Sequence, residues 1–339
     1  MRKVKVEEAV GMVLAHDITK IVPGEFKGAA FKKGHVVRPE DIPRLLDLGK
    51  EHLYVWEAKE GWLHEDDAAK AIVEATAGAG LTFSEPKEGK ISYVAQFSGI
   101  LKIDVERLYQ VNSVDQVVLS TLHNNMPVKE GQVVAGTRVI PLVIEEEKIN
   151  QVKAIGQAGP VIQVIPMKAK SIGIVTTGSE VFKGRIKDGF GPALERKMNY
   201  YGCKIIKQII VPDDTRLIKN AILDVKEAGA EIILTTGGMS VDPDDVTPLS
   251  IRELGADIIS YGSPVLPGAM FLLAYWLETP ILGLPGCVMY AKQTIFDLVF
   301  PRLLADEVLR KKDLIQLGHG GLCMDCEVCR YPACSFGKA

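Results

Sequence analysis

One stretch, residues 232–248, reading IILTTGGMSVDPDDVTP, constrains this chain more than any other. The apolar run Ile232-Ile233-Leu234 has the length and branching of a buried strand, and it ends abruptly in Thr235-Thr236-Gly237-Gly238. Two adjacent glycines let a backbone turn sharply and bring its N–H groups close to an anion. The hydroxyls of Thr236 and Ser240 are placed to donate to phosphate oxygens. The carboxylates of Asp242, Asp244 and Asp245 repel a phosphate unless a divalent cation lies between them, and Mg²⁺ favours one or two carboxylates together with phosphate oxygens. A strand, an anion-binding turn and candidate metal ligands within so few residues point to a phosphorylated or nucleotide-like ligand.

A chain of 339 residues is long enough for two or three domains. With 47% hydrophobic and 24% charged residues it has the balance of an ordinary globular protein. A formal net charge of −3 gives no reason to expect a nucleic-acid partner. The opening MRKVKVEEAV lacks the apolar core of a signal peptide. The most apolar region, 264–291, is interrupted by Glu278 and several Pro and Gly residues, too broken to cross a membrane. A cytoplasmic location is the expectation.

From about 167 to 308 the pattern alternates between strand and helix. Strands are expected at 171–175, 204–211, 232–234, 257–261 and 281–284. Helices are expected at 192–201, 215–227, 247–254 and 290–304, with Asp213, Asp214 and Thr215 as caps for the second and Gly229 closing it. Alternation with continuous apolar strands predicts an α/β fold with a doubly wound parallel sheet, whose ligands bind at the carboxyl ends of the strands. Before it, 1–58 mixes short strands with a helix over 41–49 and a strand over 52–56. Residues 59–166 form a mixed α/β module rich in strands, opened by a helix near 65–77 and with strands at 117–119, 133–134 and 139–144. Residues 309–339 form a short tail.

Three loops should converge at the strand ends: Thr176-Thr177-Gly178-Ser179-Glu180, the Thr-Thr-Gly-Gly loop, and Pro285-Gly286-Cys287. Gly and Ser occur in any strand-to-helix turn, but three such loops in one doubly wound domain make a ligand site. Asp188 and Asp245 each have two readings, as helix caps or first-turn acids and as ligands or catalytic groups. Cys287, placed at a helix N-terminus, could have a lowered thiol pKa or serve as a small buried residue; Cys203 reads as structural. The tail carries Cys323-x2-Cys326-x2-Cys329-x4-Cys334, which suits Zn²⁺ or a [4Fe–4S] cluster, with His319 a possible substitute ligand.

Residues 168–305 resemble the molybdopterin-binding domain shared by the MoeA and MogA families. The matching pieces are Thr177-Gly178-Ser179-Glu180, Gly184 to Asp188, Thr236-Gly237-Gly238-Met239-Ser240 with Asp245, and Leu284-Pro285-Gly286. The run from Ala9 to Ile18 resembles the opening of MoeA proteins. The resemblance implies binding of molybdopterin or its adenylylated form, and insertion of molybdate with Mg²⁺ assistance and release of AMP. It implies that Asp245 and Asp188 hold Mg²⁺ or orient the reacting phosphate; Asp242 is a further Mg²⁺ candidate from its place in the carboxylate cluster, not from the resemblance. Thr177, Gly178, Ser179, Glu180, Thr236, Gly237, Gly238, Ser240, Pro285 and Gly286 would bind the cofactor. A homodimer, and a molybdoenzyme or its maturation factors as partner, follow from the same resemblance. The chain departs from the family pattern at Asp242, where Gly is usual, and at Cys287-Val288, where Asn-Pro is usual. Pro267-Gly268 is flanked by Leu266 and Ala269 rather than by a basic residue. The alternatives are a non-catalytic carrier or sensor of molybdopterin, and a CinA-like metal-dependent hydrolase of nucleotide pyrophosphates.

Overall fold

The computed structural model describes residues 1–22, 24–56, 60–240, 242 and 245–338. Asp244 and the expected boundary at 58 lie outside the described residues. The chain forms two compact units: residues 1–97, 102–122 and 129–164 make one, and 98–101, 123–128 and 165–339 the other.

In the first unit, strands Arg2–Lys5 and His52–Val55 pair antiparallel, as do Ile18–Val22 and Phe26–Phe31. Val4, Leu14, Ile18, Phe31, Leu45 and Leu53 form a small core with the helix Asp41–Asp47. Further along, Leu81–Phe83, Ile91–Ala95, Val133–Val139 and Val117–Thr121 make a four-stranded antiparallel sheet. The strand expected over 139–144 is two pieces, because Val133–Val139 ends before Pro141 and a separate strand, Val143–Glu145, pairs with Trp62–His64.

The helix Glu65–Thr76 is capped by His64, whose Nδ1 accepts from the Asp66 N–H. Lys33 Nζ lies 2.6 Å from Asp66 and 2.9 Å from His64 Nδ1. Burial, reinforced by the Asp66 charge, pushes the Glu65 carboxyl from its usual 4.5 up to about 7. A carboxyl that holds its proton more tightly folded than unfolded is stabilising while protonated. This unit should therefore lose stability as pH rises from about 4.5 to 7, and Glu65→Gln should flatten that slope in denaturant titrations across the same window.

The second unit holds the alternating pattern. Its elements are β1 (Ser171–Thr177), α1 (Phe190–Tyr200), β2 (Lys204–Val211), α2 (Thr215–Glu227), β3 (Ile232–Thr236), α3 (Thr247–Glu253), β4 (Asp257–Tyr261), β5 (Leu272–Trp276), β6 (Thr279–Leu284) and α4 (Ile295–Leu304). The six strands form one sheet in the order β2-β1-β3-β6-β5-β4. β2, β1, β3 and β6 pair in parallel, whereas β5 runs against both its neighbours. The sheet is doubly wound. Phe190, Leu194 and Met198 of α1 share one core with Ile295, Phe296 and Phe300 of α4. On the opposite face Ile218, Ala221, Ile222 and Val225 of α2 pack with Ile251 of α3. The α2 positions follow the i, i+3, i+4, i+7 rule, and each large apolar side chain buried there contributes about 1.5–3 kcal/mol.

The last helix corrects the expectation of 290–304. Residues 286–289 form a 3-10 turn, and α4 begins only at Ile295, where Thr294 and Asp297 form a capping box. Asp297 also meets Lys197 of α1 at 2.6 Å, with its side chain 5% exposed. Asp297→Ala removes the cap and strands the lysine. A loss of about 3–5 kcal/mol is expected, read as a fall in the thermal midpoint that Lys197→Met in the same chain partly restores.

Candidate functional site

The sheet order reverses direction between β1 and β3: the chain leaves β1 for β2 on one side, then returns past β1 to β3 on the other. This is the switch point, where adjacent strand ends feed loops that diverge to opposite faces and leave a crevice. The register aligns the loops, since Thr176 pairs with Thr236 and Thr236 with Leu284. The segments following Thr177, Thr236 and Leu284 thus leave the sheet at one level. Met289, at the end of the third loop, packs on Gly189 just before α1.

Beneath the loops lies a buried layer of hydroxyls. Thr236 is fully buried and donates to Thr176 Oγ1 at 3.2 Å, which also receives the Gln208 amide at 3.1 Å. Thr177 and Thr247 share a hydrogen bond at 3.1 Å, and Thr247 donates to the Gly237 carbonyl at 3.1 Å. The hydroxyl of Thr236 expected to face an anion is thus committed beneath the loop, because burial at the strand end forces it to find an internal acceptor. Buried Thr177 likewise shapes the crevice floor.

The glycines let the two loops approach closely. Gly237 and Gly238 have φ of +83° and +56°. A Cβ on Gly237 would sit on the Thr177 carbonyl oxygen, and one on Gly238 would lie 2.6 Å from Thr247 Oγ1. Only glycine combines this backbone with so close an approach of two strand ends. Gly178, with φ +141°, caps the one-turn helix Ser179–Phe182. Ser179 is half-buried and Glu180 exposed.

The carboxylates sort into distinct jobs. Asp188 accepts from the N–H groups of Phe190 at 2.8 Å and Gly191 at 3.1 Å, and from Gln208 at 2.7 Å. It thus caps α1 and links the cap to the threonine layer. Asp242 is exposed and Asp245 half-buried, joined in one turn by Asp245 N–H to Asp242 O at 2.9 Å. Ser240 is exposed beside them.

Sequence reasoning missed two residues. Asp213, read only as a helix cap, receives the Ser179 N–H at 2.8 Å and so clasps the first loop, while Asp214 caps α2. The signal was the adjacent pair Asp213-Asp214 after a strand, since one cap needs only one carboxylate. Tyr261, from the far edge strand β4, donates to the carbonyls of Met239 at 3.0 Å and Ser240 at 3.2 Å. Burial and the nearby Asp245 charge raise its hydroxyl pKa, which keeps it a donor. Cys287 takes the second of its two readings. It lies in a 3-10 turn rather than at the start of a long helix, and burial pushes its thiol pKa up, the behaviour of a small packed residue. Pro285 is buried and Gly286 exposed in the same turn.

The tail cysteines all line one cavity of about 290 Å³. Among the described residues, no three His, Cys, Asp or Glu side chains stand close enough together to hold one ion, and no helix is long and apolar enough to cross a membrane.

Residues 173–305 match the family described as the probable molybdopterin binding domain, and residues 3–57 match a domain of unknown function, DUF8806. A molybdopterin molybdenumtransferase of Synechococcus elongatus is 24% identical over 176 residues, covering 49% of this chain and 44% of that protein. A molybdopterin adenylyltransferase of Pyrococcus furiosus is 30% identical over 95 residues, 28% of this chain and 56% of that protein. A CinA-like protein of Syntrophus aciditrophicus is 38% identical over 82 residues, 24% of this chain and 19% of that protein. The chain therefore spans about half or less of the length of these relatives. Over the stretch that carries the switch-point crevice, the chain is MoeA/MogA-like and has a domain of the probable molybdopterin-binding family.

Proposed function

We propose that the loops after β1, β3 and β6 bind molybdopterin or its adenylylated form, and that the protein acts in molybdenum cofactor biosynthesis by inserting molybdate with release of AMP. The observation that carries this reading is the close approach of the loops after β1 and β3 at the switch point, which only Gly237 and Gly238 permit, within a stretch that matches that family.

The donor set fits the ligand. Backbone N–H groups of the glycine turns and the hydroxyls of Ser179 and Ser240 suit phosphate oxygens. Asp242 and Asp245 share one turn and offer the carboxylates that Mg²⁺ prefers. Mg²⁺ bound there would neutralise charge developing on the phosphoryl oxygens. Asp213 and Tyr261 hold the first and second loops in shape, so that the donors need no rearrangement when the ligand arrives. Asp188 serves by fixing the start of α1 and Gln208. Exposed Lys183, Arg185 and Lys187, which follow the first loop, would draw an anionic ligand toward it. Zn²⁺ or a [4Fe–4S] cluster at Cys323, Cys326, Cys329 and Cys334, a homodimer, a cytoplasmic location, and delivery to a molybdoenzyme or its maturation factors complete the reading.

The test is anaerobic incubation of the chain with adenylylated molybdopterin, Mg²⁺ and molybdate while AMP is followed. AMP release that depends on molybdate supports insertion. Tight pterin binding without AMP replaces it with a carrier, and cleavage of ADP-ribose with added metal replaces it with a CinA-like hydrolase.

A further inference from the structure

We propose that the tail is a preformed seat for a [4Fe–4S] cluster, and that its four cysteines bind this cluster in preference to a single Zn²⁺ ion. The proposal is independent of the pterin reading. Its ground is the juxtaposition of Cys323, Cys326, Cys329 and Cys334 around one cavity of about 290 Å³.

The tail is already folded by ordinary contacts. The Cys323 N–H donates to the Leu266 carbonyl at 2.8 Å, and Leu266 N–H donates to Gly321 O at 2.9 Å. The Gly337 N–H donates to Gly320 O at 2.9 Å and closes the loop. Phe336 is buried in the α1/α4 core, and Tyr331 donates from its hydroxyl to the Asp297 carbonyl at 3.0 Å. Lys292 Nζ reaches in and donates to the carbonyls of Cys326 at 3.0 Å and Glu327 at 2.7 Å. Gly320 and Gly321 have no room for a Cβ against Lys338 O and Leu317 O, so the loop cannot be a loose extension.

Two properties of the seat favour a cluster. The first is size. A tetrahedral Zn²⁺ draws four sulfurs to about 2.3 Å and needs no cavity between them, whereas all four cysteines line one cavity of about 290 Å³. The second is order along the chain. Cys323-x2-Cys326-x2-Cys329 places three thiols in succession at the spacing of cluster proteins, whereas zinc sites pair two such cysteines with a distant second pair. Lys292 and Arg330 line the cavity and offset the negative charge of a thiolate-bound cluster, while Pro267 and Phe336 supply apolar wall.

The test is anaerobic reconstitution of the full chain with ferrous iron and sulfide, in parallel with Zn²⁺ alone. About four irons and four sulfides per chain are expected, with broad visible absorption that dithionite bleaches by one electron and a paramagnetic reduced state. Cys326 and Cys329 are exposed, so Cys326→Ser and Cys329→Ser should leave the fold intact by circular dichroism yet lower bound iron by more than half. Cys203→Ala, outside the cavity, should keep it. One zinc per chain in an all-sulfur site with no iron–sulfide uptake would overturn the proposal. So would iron and colour that persist unchanged in both tail variants.

Discussion

Replacing Gly237 by alanine should abolish molybdopterin binding while leaving the domain folded. Alanine at φ +83° costs about 1–2 kcal/mol in backbone strain alone. Its Cβ would also sit on the Thr177 carbonyl, which cannot yield because its strand is paired on both sides. The relief is for the second loop to move away from the first, so the N–H donors no longer converge. A fall in pterin affinity of at least about tenfold is expected, since each tenfold corresponds to about 1.4 kcal/mol. Gly255→Ala is the matched control. Gly255 has φ +85° with nothing within 4 Å of an added Cβ, so it bears the same backbone penalty without disturbing the crevice. Loss of binding in Gly237→Ala but not in Gly255→Ala separates a loop effect from general destabilisation.

Asp245→Asn should act on turnover instead of binding. The amide keeps the shape of the turn and its link to Asp242, but it removes the charge that would hold Mg²⁺ beside the phosphoryl oxygens. AMP release should fall by about 10²–10³-fold, the scale at which one preorganised stabilising group is lost. Pterin binding should change far less, because the backbone donors and serines are untouched. Anaerobic binding titrations alongside AMP release separate the two effects. An equal loss of both would mean that Asp245 shapes the loop and does not serve the metal.

Much of this was legible in the chain because the relevant signals are local. The boundaries of α2 follow from Asp214 at its cap and Gly229 beyond its end, and the three strand-end loops follow from apolar runs that stop at Gly. What was not legible depends on partners distant in sequence. The strand β5 lay hidden in the apolar region because its hairpin turns at Leu277-Glu278, with Leu277 at φ +55° and none of the Asn or Gly that usually marks such a turn. The late start of α4 depends on a capping box that the continuous apolar stretch around it disguised. Tyr261 reaches the second loop from across the sheet, and Thr236 turns inward because Thr176 offers an acceptor. Neither pairing leaves a trace in spacing. The convergence of the four tail cysteines on one cavity is likewise a property of the folded loop, invisible in the cysteine count.

The central claim is that the β1/β3 crevice is the pterin site, and it is tested most directly by anaerobic titration of the full chain with molybdopterin, beside Gly237→Ala and Gly255→Ala. Saturable binding that survives in Gly255→Ala and is lost in Gly237→Ala is the result this account predicts. Equal binding by all three proteins, or none by the parent chain, would contradict it.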